Sequence, residues 1–119
     1  MNRPVIVEDN ISLRQAAKLM SEKRVGSLIV TKNKKIVGII TENDVIKNIS
    51  SLNGKISKSM TKNVITIDSG ESIENAAVIM GKNKIKRLPV IKNENLVGII
   101  TATDILANSE DLGESFFFD

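Results

Sequence analysis

The sequence predicts a mixed α/β (α+β) fold of two β-α-β-β-α units, related by an internal pseudo-two-fold and sharing a core in one compact domain. Three observations predict it. Val37-Gly38-Ile39-Ile40-Thr41 recurs as Val97-Gly98-Ile99-Ile100-Thr101, and each threonine is followed three positions later by an aspartate, Asp44 or Asp104. The match extends without a gap: Ser12-Leu13-Arg14-Gln15-Ala16-Ala17 faces Ser72-Ile73-Glu74-Asn75-Ala76-Ala77, Met20 faces Met80, and Leu28-Ile29-Val30 faces Leu88-Pro89-Val90. A chain that repeats itself at constant spacing is two copies of one supersecondary unit. Each copy has only about 45 residues, near the size below which a fold usually needs staples or a partner, and there is no cysteine or histidine to supply a staple. The copies are therefore expected to share their core.

Val5-Ile6-Val7 reads as a short apolar strand that turns through Glu8-Asp9-Asn10. Ser12 is placed to cap a helix whose Leu13, Ala16, Ala17 and Met20 fall at i, i+3, i+4 and i+7 along one face. The two alanines let that helix lie close to a sheet, and it is expected to end near Arg24, before Gly26-Ser27. Leu28-Ile29-Val30 and Ile36-Val37-Gly38-Ile39-Ile40 are β-branched runs flanking Lys32-Asn33-Lys34-Lys35, a hairpin in which Asn33 takes positive φ. The second run lacks polar alternation, which predicts cover on both faces. Thr41 then caps a second helix through Val45, Ile46 and Ile49.

The first repeat thus spans residues 4–50, residues 51–63 read as a linker in which Met60 anchors a short turn, and the second repeat spans 64–108. In the second, a strand is expected near Val64–Ile67 and a helix over Ser72–Lys82 using Ile73, Ala76, Ala77 and Met80. A hairpin of Leu88–Ile91 and Leu96–Ile100 turns at Asn93-Glu94-Asn95, and the last helix starts at Thr101. Residues 109–119 form an acidic tail ending Phe116-Phe117-Phe118-Asp119, which either docks on a neighbouring surface or marks where a longer chain was cut.

Composition narrows the function. Hydrophobic residues at 41% and charged residues at 26% are ordinary for a soluble globular protein, and the apolar runs are far short of a membrane span. Met1-Asn2-Arg3-Pro4 lacks the apolar core of a signal peptide, so a cytoplasmic location is expected. The 17 basic and 14 acidic residues leave a charge of +3, and the clusters Lys32-Lys34-Lys35 and Lys82-Lys84-Lys86-Arg87 read first as solvated surface. Tryptophan and tyrosine are absent and the phenylalanines sit together at 116–118, which argues against a single-strand nucleic-acid platform. Without histidine or cysteine there is no nucleophile–histidine pair and no zinc site with those ligands, so neither catalysis nor a metal site is expected. Glu42 with Asp44 could in principle act as acid and base or hold Mg²⁺, but their place at a helix start favours capping and ligand binding.

Thr41-x-x-Asp44 and Thr101-x-x-Asp104 carry two readings. At a helix start such a pair is a capping box: the hydroxyl accepts a backbone N–H and the carboxylate reaches back, with the helix dipole favouring the acid. Against capping alone, the usual partner is the longer Glu or Gln, and both copies carry Asp. Gly38 and Gly98 also lie inside the preceding strands, where glycine often marks close approach by other atoms. A strand entering a helix with free N–H groups, a hydroxyl and a carboxylate suits a ribose-phosphate. The N–H groups and hydroxyl take phosphate, and the acceptor-only carboxylate takes vicinal ribose hydroxyls. The readings are compatible, since the threonine can do both.

Gly-Ile-Ile-Thr-x-x-Asp in duplicate, each copy preceded by an apolar hairpin and an Ala-Ala helix, resembles the tandem cystathionine-β-synthase-type (CBS) domain pair, or Bateman module. Lys86-Arg87-Leu88-Pro89-Val90 matches that family's second-strand motif, and the resemblance covers residues 4–108. It implies units packed sheet to sheet with two clefts that bind adenosine-containing ligands: AMP, ADP, ATP or S-adenosylmethionine. By this analogy Asp44 and Asp104 each hold a ribose, and Thr41 and Thr101 contact ribose or phosphate with Ile40 and Ile100 beside them. Pro4-Val5-Ile6 and Val64-Ile65-Thr66 would frame the adenine, and Lys86 and Arg87 would reach phosphates. Opposite Lys86-Arg87 the first copy has Gly26-Ser27, and Glu42 faces Ala102, so the Asp104 site is expected to favour phosphorylated ligands more than the Asp44 site.

On this resemblance the chain is a regulatory ligand-sensing module, a homodimer through its helices, acting on an unidentified protein or as the sensor of a larger chain. The competing readings are a ligand-free structural dimerisation module and, behind it, nucleic-acid contact through the Lys82–Arg87 cluster.

Overall fold

Ser12 stands in extended backbone at a helix start, where its hydroxyl accepts the Gln15 N–H and Gln15 Oε1 accepts the Ser12 N–H at 2.9 Å. Helix α1 (Leu13–Lys23) follows and buries Leu13, Ala16 and Met20. It stops at Arg24, which takes left-handed backbone (φ 56°, ψ 45°) while its N–H bonds the carbonyls of Met20 and Ser21. The structure, a computed structural model, describes residues 2–107; the phenylalanine tail lies outside them.

Strand β1 (Ile6–Glu8) starts one step later than Val5 and pairs in parallel with β2 (Ser27–Lys32), Ile6 opposite Ile29. Strand β3 (Lys35–Thr41) returns antiparallel, giving the order β1-β2-β3. Asn33 (φ 53°) and Lys34 (φ 65°) form the two-residue turn, the left-handed pair that matches strand twist. Helix α2 (Glu42–Lys47) closes the repeat.

The second repeat has the same plan: β4 (Ile67–Asp68), α3 (Ile73–Asn83), β5 (Arg87–Lys92), β6 (Asn95–Thr101) and α4 (Ala102–Ala107), with sheet order β4-β5-β6. Its turn is Asn93 (φ 50°) and Glu94 (φ 67°), so Asn95 belongs to the strand. The strand expected near Val64–Ile67 is shortened to Ile67–Asp68, and Pro89 explains it. In the first repeat the Ile29 N–H donates to the Val5 carbonyl at 2.9 Å. Its counterpart Pro89 has no N–H, so the ladder opens only at Ile67 opposite Val90.

The chain forms two units, one of residues 4–64 and one of residues 65–107 with residues 2–3. Each has its own apolar cluster: Leu13, Ala16, Met20, Leu28, Val30 and Ile40 anchor one, and Ile67, Ala76, Met80, Leu88, Val90 and Ile105 form the other. An added segment contributes to the first. Residues 51–63, expected as a linker, are folded into that unit. The Leu13 N–H donates to the Gly54 carbonyl at 2.8 Å, and Ile56 is wholly buried, a burial worth about 1.5–3 kcal/mol. Thr61 pairs with Ile39 through bonds of 2.9 and 3.0 Å, and Asn2 pairs with Ile99 in the same way. Each unit thus takes the arm that precedes the other repeat.

Candidate functional site

Both Thr-x-x-Asp pairs stand where a strand hands over to a helix, and both close as caps. Thr41, the last residue of β3, accepts the Asp44 N–H on its hydroxyl at 3.3 Å. Asp44 Oδ2 accepts the Thr41 N–H at 2.8 Å and the Thr41 hydroxyl at 3.0 Å. Aspartate therefore reaches far enough, which removes one of the two reasons for doubting a simple cap. Both carboxylate contacts use Oδ2, so Asp44 Oδ1 takes no part in the cap.

In the second repeat Asp104 Oδ2 accepts the Thr101 N–H at 2.9 Å, and Thr101 Oγ1 accepts the Asp104 N–H at 3.1 Å. Here the arm intervenes: Asn2 Nδ2 donates to Asp104 Oδ1 at 3.3 Å and Oδ2 at 3.4 Å. Sequence reading missed Asn2, because nothing local ties it to a residue at the far end of the chain.

The free helix-start N–H groups expected for a phosphate are largely occupied. The Glu42 N–H donates to the Gly26 carbonyl at 3.1 Å and the Ala102 N–H to the Lys86 carbonyl at 2.8 Å. With only six residues each, α2 and α4 also have little dipole to offer. A phosphate would depend on side chains instead. Arg87 lies directly opposite Thr101 in the antiparallel pair, so the two share a face of the sheet. Lys86 beside it is exposed and Arg87 half-buried. Ser27 occupies the Arg87 position in the other unit, opposite Thr41.

The remaining predicted residues divide between the units. Pro4, Val5, Ile6, Ile40, Thr41, Asp44 and Val64 lie in one, and Ile65, Thr66, Lys86, Arg87, Ile100, Thr101 and Asp104 in the other. Ile40 is fully buried, while Val5, Ile65 and Ile100 pack against the cores, which leaves their backbones rather than their side chains for a ligand. Pro4 and Val64 are half-buried, Thr66 is exposed, and Ile6 is 50% exposed.

Gly38 answers the expectation of close approach, but the approaching atoms are the protein's own. A Cβ there would overlap the Met60 side chain, 2.8 Å from Cγ. Glu42 lines a cavity of about 450 Å³ between α1 and α2, together with Met20, Arg24, Val45 and Ile46. Among the described residues no cluster of three or more acidic, histidine or cysteine side chains could hold a metal, and no helix is long and apolar enough to cross a membrane.

The model of the CBS domain matches residues 1–51 and 54–111. An uncharacterized protein of Methanocaldococcus jannaschii is 42% identical over 101 residues, covering 84% of this chain and 34% of that protein. The inosine-5'-monophosphate dehydrogenase of Nitrosopumilus maritimus is 33% identical over 112 residues, covering 92% of this chain and 23% of the enzyme. The chain therefore spans about a third or less of these curated relatives. A crystal structure of a CBS domain pair in complex with 5'-methylthioadenosine and S-adenosyl-L-methionine superposes with a TM-score of 0.85 at 32% identity, covering 94% of this chain and 92% of that one. Duplicated strand-to-helix Thr-x-x-Asp caps, a three-stranded sheet in each unit and these matches agree: the chain belongs to the CBS-domain family, as a tandem pair.

Proposed function

We propose that the chain is a regulatory ligand-sensing module that binds adenosine-containing ligands, with AMP, ADP, ATP and S-adenosylmethionine as the candidates. The observation that carries this reading is the likeness, over 94% of the chain, to a CBS pair in complex with 5'-methylthioadenosine and S-adenosyl-L-methionine. The chemistry of the caps supports it. Asp44 keeps Oδ1 outside its own cap, and a carboxylate oxygen so placed accepts a ribose hydroxyl. Thr41 and Thr101 hold the two carboxylates in one rotamer, so little side-chain entropy is lost on binding. Arg87, sharing a face with Thr101, biases the second site toward phosphate-bearing ligands. Binding transmits a signal only if it favours one conformation over another, and the protein regulated in this way is a cytoplasmic partner or the remainder of a longer chain.

Thermal denaturation with each adenosine compound tests the reading. At about 100 times the dissociation constant, a ligand specific to the folded state adds roughly 2.7 kcal/mol. No upward shift with any of them removes it.

One observation favours a second reading, a dimerisation module without ligand. Ile46 on α2 is 68% exposed and its counterpart Leu106 on α4 is 56% exposed. A homodimer through these helices fits either function, and sedimentation with and without ligand separates them.

A further inference from the structure

In the first unit, residues 52–56 cover the start of α1 and show what that place accepts. Ile56 is wholly buried there with Leu13, Ala16, Val30 and Ile40, and Leu52 packs partly buried against the same cluster. Three backbone bonds fix the segment: Leu13 N–H to the Gly54 carbonyl at 2.8 Å, Arg14 N–H to the Leu52 carbonyl at 2.9 Å, and Ile56 N–H to the Ile11 carbonyl at 3.0 Å. Lys55, next to the buried isoleucine, stands opposite Ser12 and is exposed. The corresponding place in the second unit is a cavity of about 100 Å³. Its walls include Ile73, Ala76, Val90 and Ile100, the counterparts of the four side chains around Ile56. Leu13 and Ile40 are 0% exposed, whereas Ile73 and Ile100 are only half-buried. Among the described residues no carbonyl outside the helix accepts from Ile73 or Glu74, the counterparts of Leu13 and Arg14. The rim also differs in charge. Glu71 stands where the first unit has Ile11, and with Asp68 it gives the cavity two exposed carboxylates and, among the described lining residues, no basic side chain.

We propose that this cavity docks a segment of a partner protein with the pattern apolar-x-Gly-basic-apolar, the pattern of Leu52-Asn53-Gly54-Lys55-Ile56. The last apolar side chain fills the cavity against Ile73, Ala76, Val90 and Ile100. The basic residue before it lies opposite Ser72, as Lys55 lies opposite Ser12, and so beside the Glu71 carboxylate. The carbonyls of the glycine and the first apolar residue accept from Ile73 and Glu74, whose N–H groups, at the start of a helix, have no intrahelical partner. An apolar wall alone would take any aliphatic side chain, and the two carboxylates turn away acidic segments. A second copy of this chain is not the occupant, because among the described residues its only such segment is built into its own first unit. The lining includes neither Thr101 nor Asp104, so docking here does not depend on the ligand reading.

The probe is a synthetic peptide with the sequence of residues 51–58, capped at both ends and added to the full chain with labelled isoleucine and valine methyl groups. Saturable shifts are expected at Ile73, Val90 and Ile100, with intermolecular nuclear Overhauser contacts from the peptide isoleucine to Ile73, while Val30 and Ile40 of the first unit stay unchanged. The Ile56→Asp form of the peptide should bind at least about tenfold more weakly, having lost its buried anchor. Glu71→Gln in the full chain should weaken the original peptide about twofold to fivefold, the range of an exposed ion pair. No shift at Ile73 or Ile100 with the peptide at about 5 mM overturns the proposal, and equal binding of the Ile56→Asp form overturns it too. Contacts from Ile73 and Ile100 to the chain's own terminal residues, without any peptide, give the cavity to the chain itself and overturn it as well.

Discussion

Asn2 lays its side-chain amide across both carboxylate oxygens of Asp104, at 3.3 and 3.4 Å, while its backbone is paired with Ile99. The residue at the same step of the other arm is Thr61, opposite Ile39, so the Asp44 cap has no equivalent amide. A ribose diol at Asp104 must compete with Asn2 for its acceptors. Asn2→Ala in an Asp44→Ala background should therefore tighten 5'-methylthioadenosine binding by about threefold to tenfold, these long bonds being weaker than a short charge-assisted one. Calorimetric titration reads the change, and weaker binding by the variant would make Asn2 a ligand contact instead.

Gly38 is held to glycine by Met60. Gly38→Ala places a methyl group into the thioether, and overpacking of this kind costs about 1–3 kcal/mol. Urea unfolding measures it. Because the clash has one partner, Met60→Ala should recover part of the loss in the double variant; strict additivity would show that the glycine serves something else.

Arg24 and Lys84 end α1 and α3 in left-handed backbone, at φ 56° and 54°. Side chains other than glycine cost about 1–2 kcal/mol there, partly offset by the extra freedom glycine has when unfolded. Lys84→Gly, at an exposed position, should stabilise the chain by about 0.5–1 kcal/mol in urea unfolding. A loss of stability would mean that the lysine stem is packed.

Arg87 distinguishes the two Thr-Asp caps, because Ser27 stands in its place across from Thr41. Arg87→Ala should weaken ATP or AMP at the Asp104 site about tenfold, one charge-assisted hydrogen bond of roughly 1.5–3 kcal/mol. The uncharged 5'-methylthioadenosine should be affected far less. Equal losses for both ligands would place the guanidinium away from phosphate.

Much of this was legible in the residues because the signals are local and occur twice. The Ser12 and Thr41 caps, the Leu13–Met20 face and the Asn33 turn each depend on neighbours a few positions away, and each appears where the spacing put it. What the sequence hid is long-range. The arms could not be read, since the pairing of Asn2 with Ile99 and of Thr61 with Ile39 leaves no periodic trace. The short β4 was readable in principle: Pro89 announces a missing ladder donor, and a strand should not have been expected opposite it. Gly38 was read correctly as a point of close approach, but a bare glycine does not say whose atoms approach.

The central claim is that the Thr-Asp caps serve as ribose sites, and calorimetric titration of the full chain with S-adenosylmethionine, 5'-methylthioadenosine, AMP and ATP tests it most directly. At least one of these should bind, and an Asp44→Ala/Asp104→Ala variant of intact fold should lose affinity by tenfold or more. Binding of none of them, or affinity unchanged in the folded double variant, would contradict the account and leave the two carboxylates as helix caps alone.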